Sequence, residues 1–168
     1  MAEKALDAIA FLKADHREIE DLFAKIEKRD TSRAEKEGLI EEVCRALIIH
    51  AQLEEEIAYP AFREADVKSD ILDEAEIEHT SVKQLIADIE EKSDEDDLLG
   101  ARVRILSEYV RHHVKEEEGV MFAEVRFSLA DLKDIGRRLI ERKRELMTDK
   151  NKVLISWALP KRVRSFRE

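Results

Sequence analysis

The stretches HAQLEEEIAYPAF (residues 50–62) and HVKEEEGVMFAEV (residues 113–125) follow the same pattern. This shared pattern is the strongest indication of the fold. Each stretch opens with a histidine, carries a glutamate four residues later and an aromatic residue nine residues later, and the two begin 63 residues apart. A histidine and a glutamate four residues apart lie on one face of an α-helix. The pair of stretches therefore predicts two helices that each present a His–Glu pair on one face.

Two further histidines extend this pattern into a repeat. His16 precedes His50 by 34 residues, and His79 precedes His113 by the same 34 residues. The chain therefore reads as two helical hairpins in tandem, each of which supplies one histidine from its first helix and a His–Glu pair from its second. The six candidate metal ligands on the inward stripes are His16, His50, Glu54, His79, His113 and Glu117.

Composition and apolar spacing predict an all-α fold. Of 168 residues, 42% are charged, and there are only 4 glycines and 2 prolines, which is typical of long amphipathic helices. Apolar residues recur at spacings of three and four almost throughout. Four long helices with short connections favour an antiparallel up-down-up-down four-helix bundle, followed by a short fifth helix and a C-terminal tail.

Local signals suggest where the helices of the bundle begin and end. The first helix is expected at about 5–28, and the third is expected to start at Ser69 or the next residue. Pro60 disfavours helical geometry at Tyr59, so the second helix should kink or end there. Ala123 occupies the position of that proline in the second hairpin, so the fourth helix is expected to run on unkinked.

The C-terminal part divides into a helix and a tail. Ser128, with Asp131 three residues later, resembles a capping box that opens the fifth helix, which should extend to about Met147. We therefore divide the chain into a bundle with its fifth helix, residues 1–147, and a tail, residues 148–168.

The tail mixes apolar residues with lysines and arginines, although the net charge of the chain is −10. From position 137 to the end there are 11 Lys and Arg against 4 Asp and Glu. Such a segment can dock on the acidic bundle, on a partner protein or on an anionic membrane surface.

Several classes of protein are disfavoured. The net negative charge argues against nucleic acid as a partner. No run of 18 apolar residues is present, so no transmembrane segment is expected, and the charged first residues do not resemble a secretory signal. The single cysteine, Cys44, excludes an intramolecular disulfide and a Cys-x-x-Cys metal site, so the predicted location is the cytoplasm.

Burial of the six candidate ligands calls for a common partner. A lone histidine on an apolar stripe is usually a core residue, but burying two carboxylates and four imidazoles without a partner would cost several kcal/mol each. A metal centre removes that cost. The set contains no thiolate, so zinc-finger and iron–sulfur sites are excluded, and its imidazoles and carboxylates suit a pair of iron ions, with manganese or zinc less favoured.

Four segments resemble the ligand-bearing helices of the hemerythrin-like, or HHE cation-binding, domain family, and the resemblance covers about residues 5–147. The segments are DHREIEDLF, HAQLEEEIAYP, EHTSV and HHVKEEEGVMF. The resemblance implies a non-haem, oxo- or hydroxo-bridged di-iron centre. It further implies one iron held by His16 and His50, a second held by His79 and His113, and two bridging carboxylates, Glu54 and Glu117.

The chain departs from the oxygen-carrying members of that family at Lys83. Those proteins have a further histidine there, whereas an ammonium group has no lone pair for a metal. The position 63 residues earlier is Glu20, so we expect a Glu20–Lys83 ion pair across the bundle, with Glu20 as a candidate extra iron ligand. Tyr109, one turn before His113, is a candidate hydrogen-bond donor to a ligand on iron.

Other polar residues near the repeat are expected at the surface. Glu55 and Glu118 directly follow the two repeat glutamates and should face solvent. His112, next to His113, is expected on the outer surface of its helix.

Three functions are compatible with the sequence. The first is a di-iron protein that binds or senses dioxygen, nitric oxide or peroxide, or that handles iron. The second is a di-iron enzyme that degrades peroxide in a catalase-like reaction. The third is a structural bundle that binds zinc or no metal.

Overall fold

A computed structural model describes residues 6–28, 31–91 and 98–148, and the described residues contain helices and no β-strand. The predicted tail, apart from Thr148, lies outside the described residues, and its docking stays a prediction. The α-helices are α1 (Ala8–Glu27), α2 (Arg33–Leu53), α3 (Tyr59–Glu64), α4 (Ser69–Glu90), α5 (Leu99–Glu116), α6 (Phe122–Phe127) and α7 (Leu132–Thr148).

Two helical hairpins form the bundle and confirm the predicted fold class. Helix α1 packs along α2, and α4 packs along α5, with one continuous apolar core between them. Among the described residues, no helix is long and apolar enough to cross a membrane.

Side chains cap the first two helices at their N-termini. Asp7 accepts a hydrogen bond from the backbone N–H of Ala10 at 2.8 Å, so α1 begins at Ala8, slightly later than expected. Ser32 and Glu35 form a capping box, in which Glu35 accepts from the Ser32 N–H at 2.9 Å and Ser32 accepts from the Glu35 N–H at 3.3 Å. These caps satisfy backbone donors that an α-helix leaves unpaired.

A π-helical turn follows the second helix of each hairpin and begins at the repeat glutamate. The first π turn is Glu54–Ala58 and the second is Glu117–Met121. The α-helical geometry of α2 ends at Leu53, before Pro60, and Pro60 lies in the first turn of α3, where a missing N–H is tolerated. The second hairpin carries the same π turn without a proline, and α6 runs through Ala123.

Helix α7 begins at Leu132 rather than at Ser128. The Asp131 carboxylate caps it by accepting from the N–H groups of Lys133 and Asp134 at 3.2 and 3.1 Å. The helix packs on α1, α2 and the first π turn, so it covers the first hairpin. Gly136 lies at this contact. A β-carbon at that position would overlap the carbonyl oxygen of Leu6, so only glycine fits without a shift of the backbone.

We expect Gly136→Ala to destabilise the protein by roughly 1–3 kcal/mol, because backbone atoms of the α1 start leave no room for a methyl group. Gly38→Ala is the matched control, since nothing lies within 4 Å of a β-carbon at that position in α2. It should stabilise the helix by up to about 1 kcal/mol. Urea unfolding of both variants measures the difference, and equal stabilities would show that α7 does not pack this closely.

Candidate metal centre

The structure brings the six repeat residues together inside the bundle, and all six are buried. Their ligand atoms form two clusters that could hold metal ions, and within each cluster the atoms lie within 4.8 Å of one another. Glu54 belongs to both clusters. The first cluster is His16, His50, Glu54 and Glu117, and the second is Glu54, His79 and His113.

The Glu54 carboxylate spans the two pairs of imidazoles. Its Oε1 lies 3.1 Å from His50 Nε2, and its Oε2 lies 3.2 Å from His79 Nε2. The Nε2 atoms are 3.1 Å apart in the His16–His50 pair and 3.3 Å apart in the His79–His113 pair. One carboxylate therefore faces both pairs, with one oxygen directed to each.

Glu117, from the second hairpin, also faces both pairs of imidazoles, but through a single oxygen. Its Oε2 lies 3.2 Å from His16 Nε2 and 3.6 Å from His113 Nε2. Each of the two buried carboxylates thus contacts one imidazole of each pair, which is the pattern expected of the repeat.

The other ring nitrogen of each histidine faces a carboxylate further from the centre. At His16, His79 and His113 the carboxylate accepts from Nδ1–H, so the Nε2 lone pair points at the centre, whereas His50 Nδ1 makes no hydrogen bond. The Nδ1–oxygen distances are 2.9 Å for His16 and Glu118, 3.6 Å for His50 and Asp15, 2.9 Å for His79 and Glu55, and 2.7 Å for His113 and Glu78.

These contacts fit a cation at the centre. With Nδ1 protonated on His79 and His113, neutral imidazoles would direct their Nε2 lone pairs at each other across 3.3 Å. In addition, Glu54 Oε1 and Glu117 Oε2 are buried and accept no hydrogen bond. A metal ion bound by these nitrogen and oxygen atoms would offset both unfavourable features.

Charge at the centre shifts the pKa values of its groups. Burial would lower the pKa of His50, but Glu54 and Asp15 together raise it well above its ordinary value. Burial opposes a charged His79 as well, yet hydrogen bonds to Glu54 and Glu55 raise its pKa to about 9. Burial would raise the pKa of Glu54, whereas attraction to His50 holds it well below the usual range. The Glu54 carboxylate is therefore ionised and attracts cations.

The outer carboxylates obey the 63-residue repeat, and two of them correct the sequence analysis. Asp15 and Glu78 directly precede the first-helix histidines, whereas Glu55 and Glu118 directly follow the repeat glutamates. The Glu55 and Glu118 side chains are only 31% and 21% exposed and bond to imidazoles, so the expectation that they face solvent was wrong. The recurrence of an acid at the same offset was the signal that could have identified them.

Cations on the bundle surface bind these outer carboxylates. Lys83 Nζ lies 2.6 Å from Glu55 Oε2, and the Arg17 guanidinium bonds to Glu118. The expected Glu20–Lys83 pair is replaced, because Lys83 reaches Glu55 while Glu20 pairs with Arg17 at 2.9 Å. Glu20 belongs to neither metal-capable cluster among the described residues.

Tyr59, not Tyr109, places a hydroxyl group at the centre. Tyr109 is 49% exposed, because it lies roughly 40° outside the buried arc of α5. The fully buried Tyr59 hydroxyl lies 2.9 Å from Glu117 Oε1 and 3.3 Å from Glu54 Oε2. The first π turn directs both Glu54 and the residue five positions later inward, and a regular helical period did not reveal this.

Burial keeps the Tyr59 hydroxyl protonated. Desolvation and the nearby charges of Glu117 and Glu54 raise its pKa well above the ordinary value of tyrosine. The hydroxyl therefore donates its one proton towards Glu117 Oε1 at 2.9 Å, with Glu54 Oε2 as the more distant acceptor at 3.3 Å.

One solved structure shares the fold of this chain, and one relative is similar to it in sequence. One solved structure, of a hemerythrin HHE cation binding domain-containing protein from Mycobacterium kansasii, superposes with a TM-score of 0.73 at 23% identity and covers 90% of this chain and 99% of that one. A DNA nickase of Nostoc sp. (strain PCC 7120) is 29% identical over 119 residues, which are 71% of this chain. The match spans only 33% of that relative's length.

The family model of the hemerythrin HHE cation binding domain matches residues 7–125, which include both His–Glu pairs and all four histidines of the centre. The chain therefore belongs to the hemerythrin HHE cation-binding domain family.

Proposed function

We propose that this domain holds two iron ions in a non-haem centre and uses them to bind or sense a small ligand, either dioxygen, nitric oxide or peroxide, or to handle iron. The observation that carries the proposal is the position of Glu54, whose two oxygens face different imidazole pairs at 3.1 and 3.2 Å. One ion would be held by His16 and His50 and the other by His79 and His113. Glu54 and Glu117 would bridge them.

The donor atoms favour iron over the other metals considered. Four imidazoles and two carboxylates without a thiolate suit iron, with manganese or zinc as weaker alternatives. The Lys83 ammonium group is bound to Glu55 and offers no lone pair, so it adds no donor atom. The centre would then keep coordination positions free for an exogenous ligand.

The test of this proposal is metal stoichiometry combined with optical spectroscopy. Metal-free protein loaded anaerobically with Fe²⁺ should bind two ions per chain and develop oxo-bridge absorption on exposure to air. His79→Ala should lower the iron content to one ion or fewer, because it removes a nitrogen donor of one pair. Thr80→Ala is the matched control, since this neighbouring side chain bonds to the backbone oxygen of Glu76 and should leave two ions bound.

Other results would contradict the proposal. A preference for zinc, a single ion in the unsubstituted protein, or an unchanged iron content in His79→Ala would each exclude a di-iron centre built from these residues.

The outer carboxylates offer a second, independent test. Glu55→Gln should weaken iron binding by about 10- to 100-fold, because the neutral amide oxygen is a weaker acceptor than the carboxylate for the Nδ1–H of His79. Glu56→Gln is the matched control, since Glu56 bonds to Arg142 at 2.9 Å and to Gln52 rather than to a histidine. Competition with a chelator of known affinity measures both variants. Equal affinities would show that Glu55 does not support the centre.

A second candidate function is disproportionation of peroxide into water and dioxygen. Tyr59 favours it, because its hydroxyl is a buried proton donor 2.9 Å from one central carboxylate and 3.3 Å from the other. Bound iron would supply the redox chemistry. The hydroxyl would hold a proton beside the carboxylates, where a peroxide oxygen that becomes water needs one.

We expect Tyr59→Phe to lower oxygen evolution from peroxide by at least about 10-fold, because it removes the hydroxyl proton and preserves the ring. Tyr109→Phe changes the other tyrosine of the chain, which lies at the surface, and should have no effect. Both variants should retain their iron, so metal content is measured on the same samples. If the unsubstituted protein evolves no oxygen, binding or sensing remains the function.

A further inference from the structure

A cavity of about 350 Å³ between α4 and α5 leads from the surface to the candidate metal centre. Its floor is formed by His113 and Glu117, which are 6% and 1% exposed. Its mouth is formed by side chains on the surface of the bundle, including Glu74 and Glu116. The cavity therefore connects solvent with one of the two carboxylates shared by the imidazole pairs.

Acidic and imidazole groups follow the cavity from mouth to floor. At the mouth, the exposed His112 has its Nε2 3.5 Å from Glu78 Oε1, and below it the other oxygen of Glu78 lies 2.7 Å from His113 Nδ1. At the floor, Glu117 Oε2 is buried and accepts no hydrogen bond. Oxygen and nitrogen atoms that bind divalent cations are thus present at every depth.

In the first hairpin the equivalent cavity does not reach the centre, because its lining includes Asp15, Ile49 and Lys143 but none of the six central residues. Subtracting 63 from Glu74, His112 and Glu116 gives Phe11, Ile49 and Leu53, and all three of these residues are buried. Helix α7 packs over α1 and α2 and contacts the first π turn. The repeat therefore places polar side chains at three positions of the α4–α5 cavity where the first hairpin has buried apolar ones, and of the two cavities only the α4–α5 cavity is lined by central residues.

We propose that the α4–α5 cavity is the passage by which a divalent metal ion reaches the centre, with Glu74 and Glu116 as its first contacts. This inference rests on the proposed function. The two exposed carboxylates attract the hydrated cation and raise its local concentration. The ion then exchanges water for protein ligands at Glu78 and His112 before it reaches Glu117.

The rate of metal uptake tests this passage separately from the final metal content. Metal-free protein is mixed with Co²⁺ in a stopped-flow spectrometer, and the absorption of the bound ion is followed. The double variant Glu74→Gln/Glu116→Gln should take up cobalt about tenfold more slowly than the unsubstituted protein. Its final content should remain two ions per chain, since neither residue belongs to the two clusters.

The matched control is Glu41→Gln/Glu108→Gln, which changes the net charge equally at exposed positions on α2 and α5 outside the cavity. This control should take up cobalt at the unsubstituted rate. Added salt should slow the unsubstituted protein more than the Glu74→Gln/Glu116→Gln variant, because the steering charges are already absent from the variant.

Three results would overturn the proposal that metal enters through this cavity. Equal rates for the two double variants would show that metal enters elsewhere. A final content below two ions in the cavity variant alone would show that its carboxylates are ligands of the centre. If the unsubstituted protein binds no cobalt at all, the proposed function fails and the passage fails with it, whereas the first two results leave the function intact.

Discussion

Burial of the Glu54 carboxylate between two imidazole pairs is the constraint on which the site depends. The residue is 0% exposed and keeps one oxygen without a hydrogen bond, so its negative charge requires cations or protons nearby. The groups around it alternate in charge with distance from the centre. Imidazoles surround the carboxylate, outer carboxylates such as Glu55 bind the imidazoles, and Lys83 and Arg17 bind the outer carboxylates at the surface. Each group offsets the charge that the previous one leaves unbalanced.

The two π turns allow one helix to supply more than one group to this site. The turns are Glu54–Ala58 and Glu117–Met121, and each begins at a central glutamate. The backbone N–H of the residue five positions later bonds to the carbonyl of that glutamate, at Tyr59 and at Phe122. Turns of this kind are rare and are frequently found at functional sites. In the first hairpin the extra inward position holds a hydroxyl group, whereas in the second it holds a hydrocarbon ring.

The sequence predicts the position of a residue in the site when that residue obeys the 63-residue repeat. The bundle follows from composition and apolar spacing, and the six central residues follow from offsets of 34 and 63. Tyr59 was missed because a π turn changes which positions face inward, and a period of 3.6 residues cannot signal that change. The prediction of a Glu20–Lys83 ion pair was wrong for another reason. Ion pairs of long side chains depend on which neighbours lie within reach, and Arg17 has no cationic counterpart 63 residues later, where Thr80 stands.

Helix α7 packs on only one of the two hairpins, and this affects the internal motions of the bundle. Helices α1 and α2 are buttressed by a further layer, and Lys143 of α7 binds Asp15 at 2.7 Å. Helices α4 and α5 have no such layer among the described residues. Transient opening of a protein starts where fewest contacts must break. Amide protons of the α4–α5 half should therefore exchange with deuterium sooner than those of the buttressed half, although the two halves derive from one pattern.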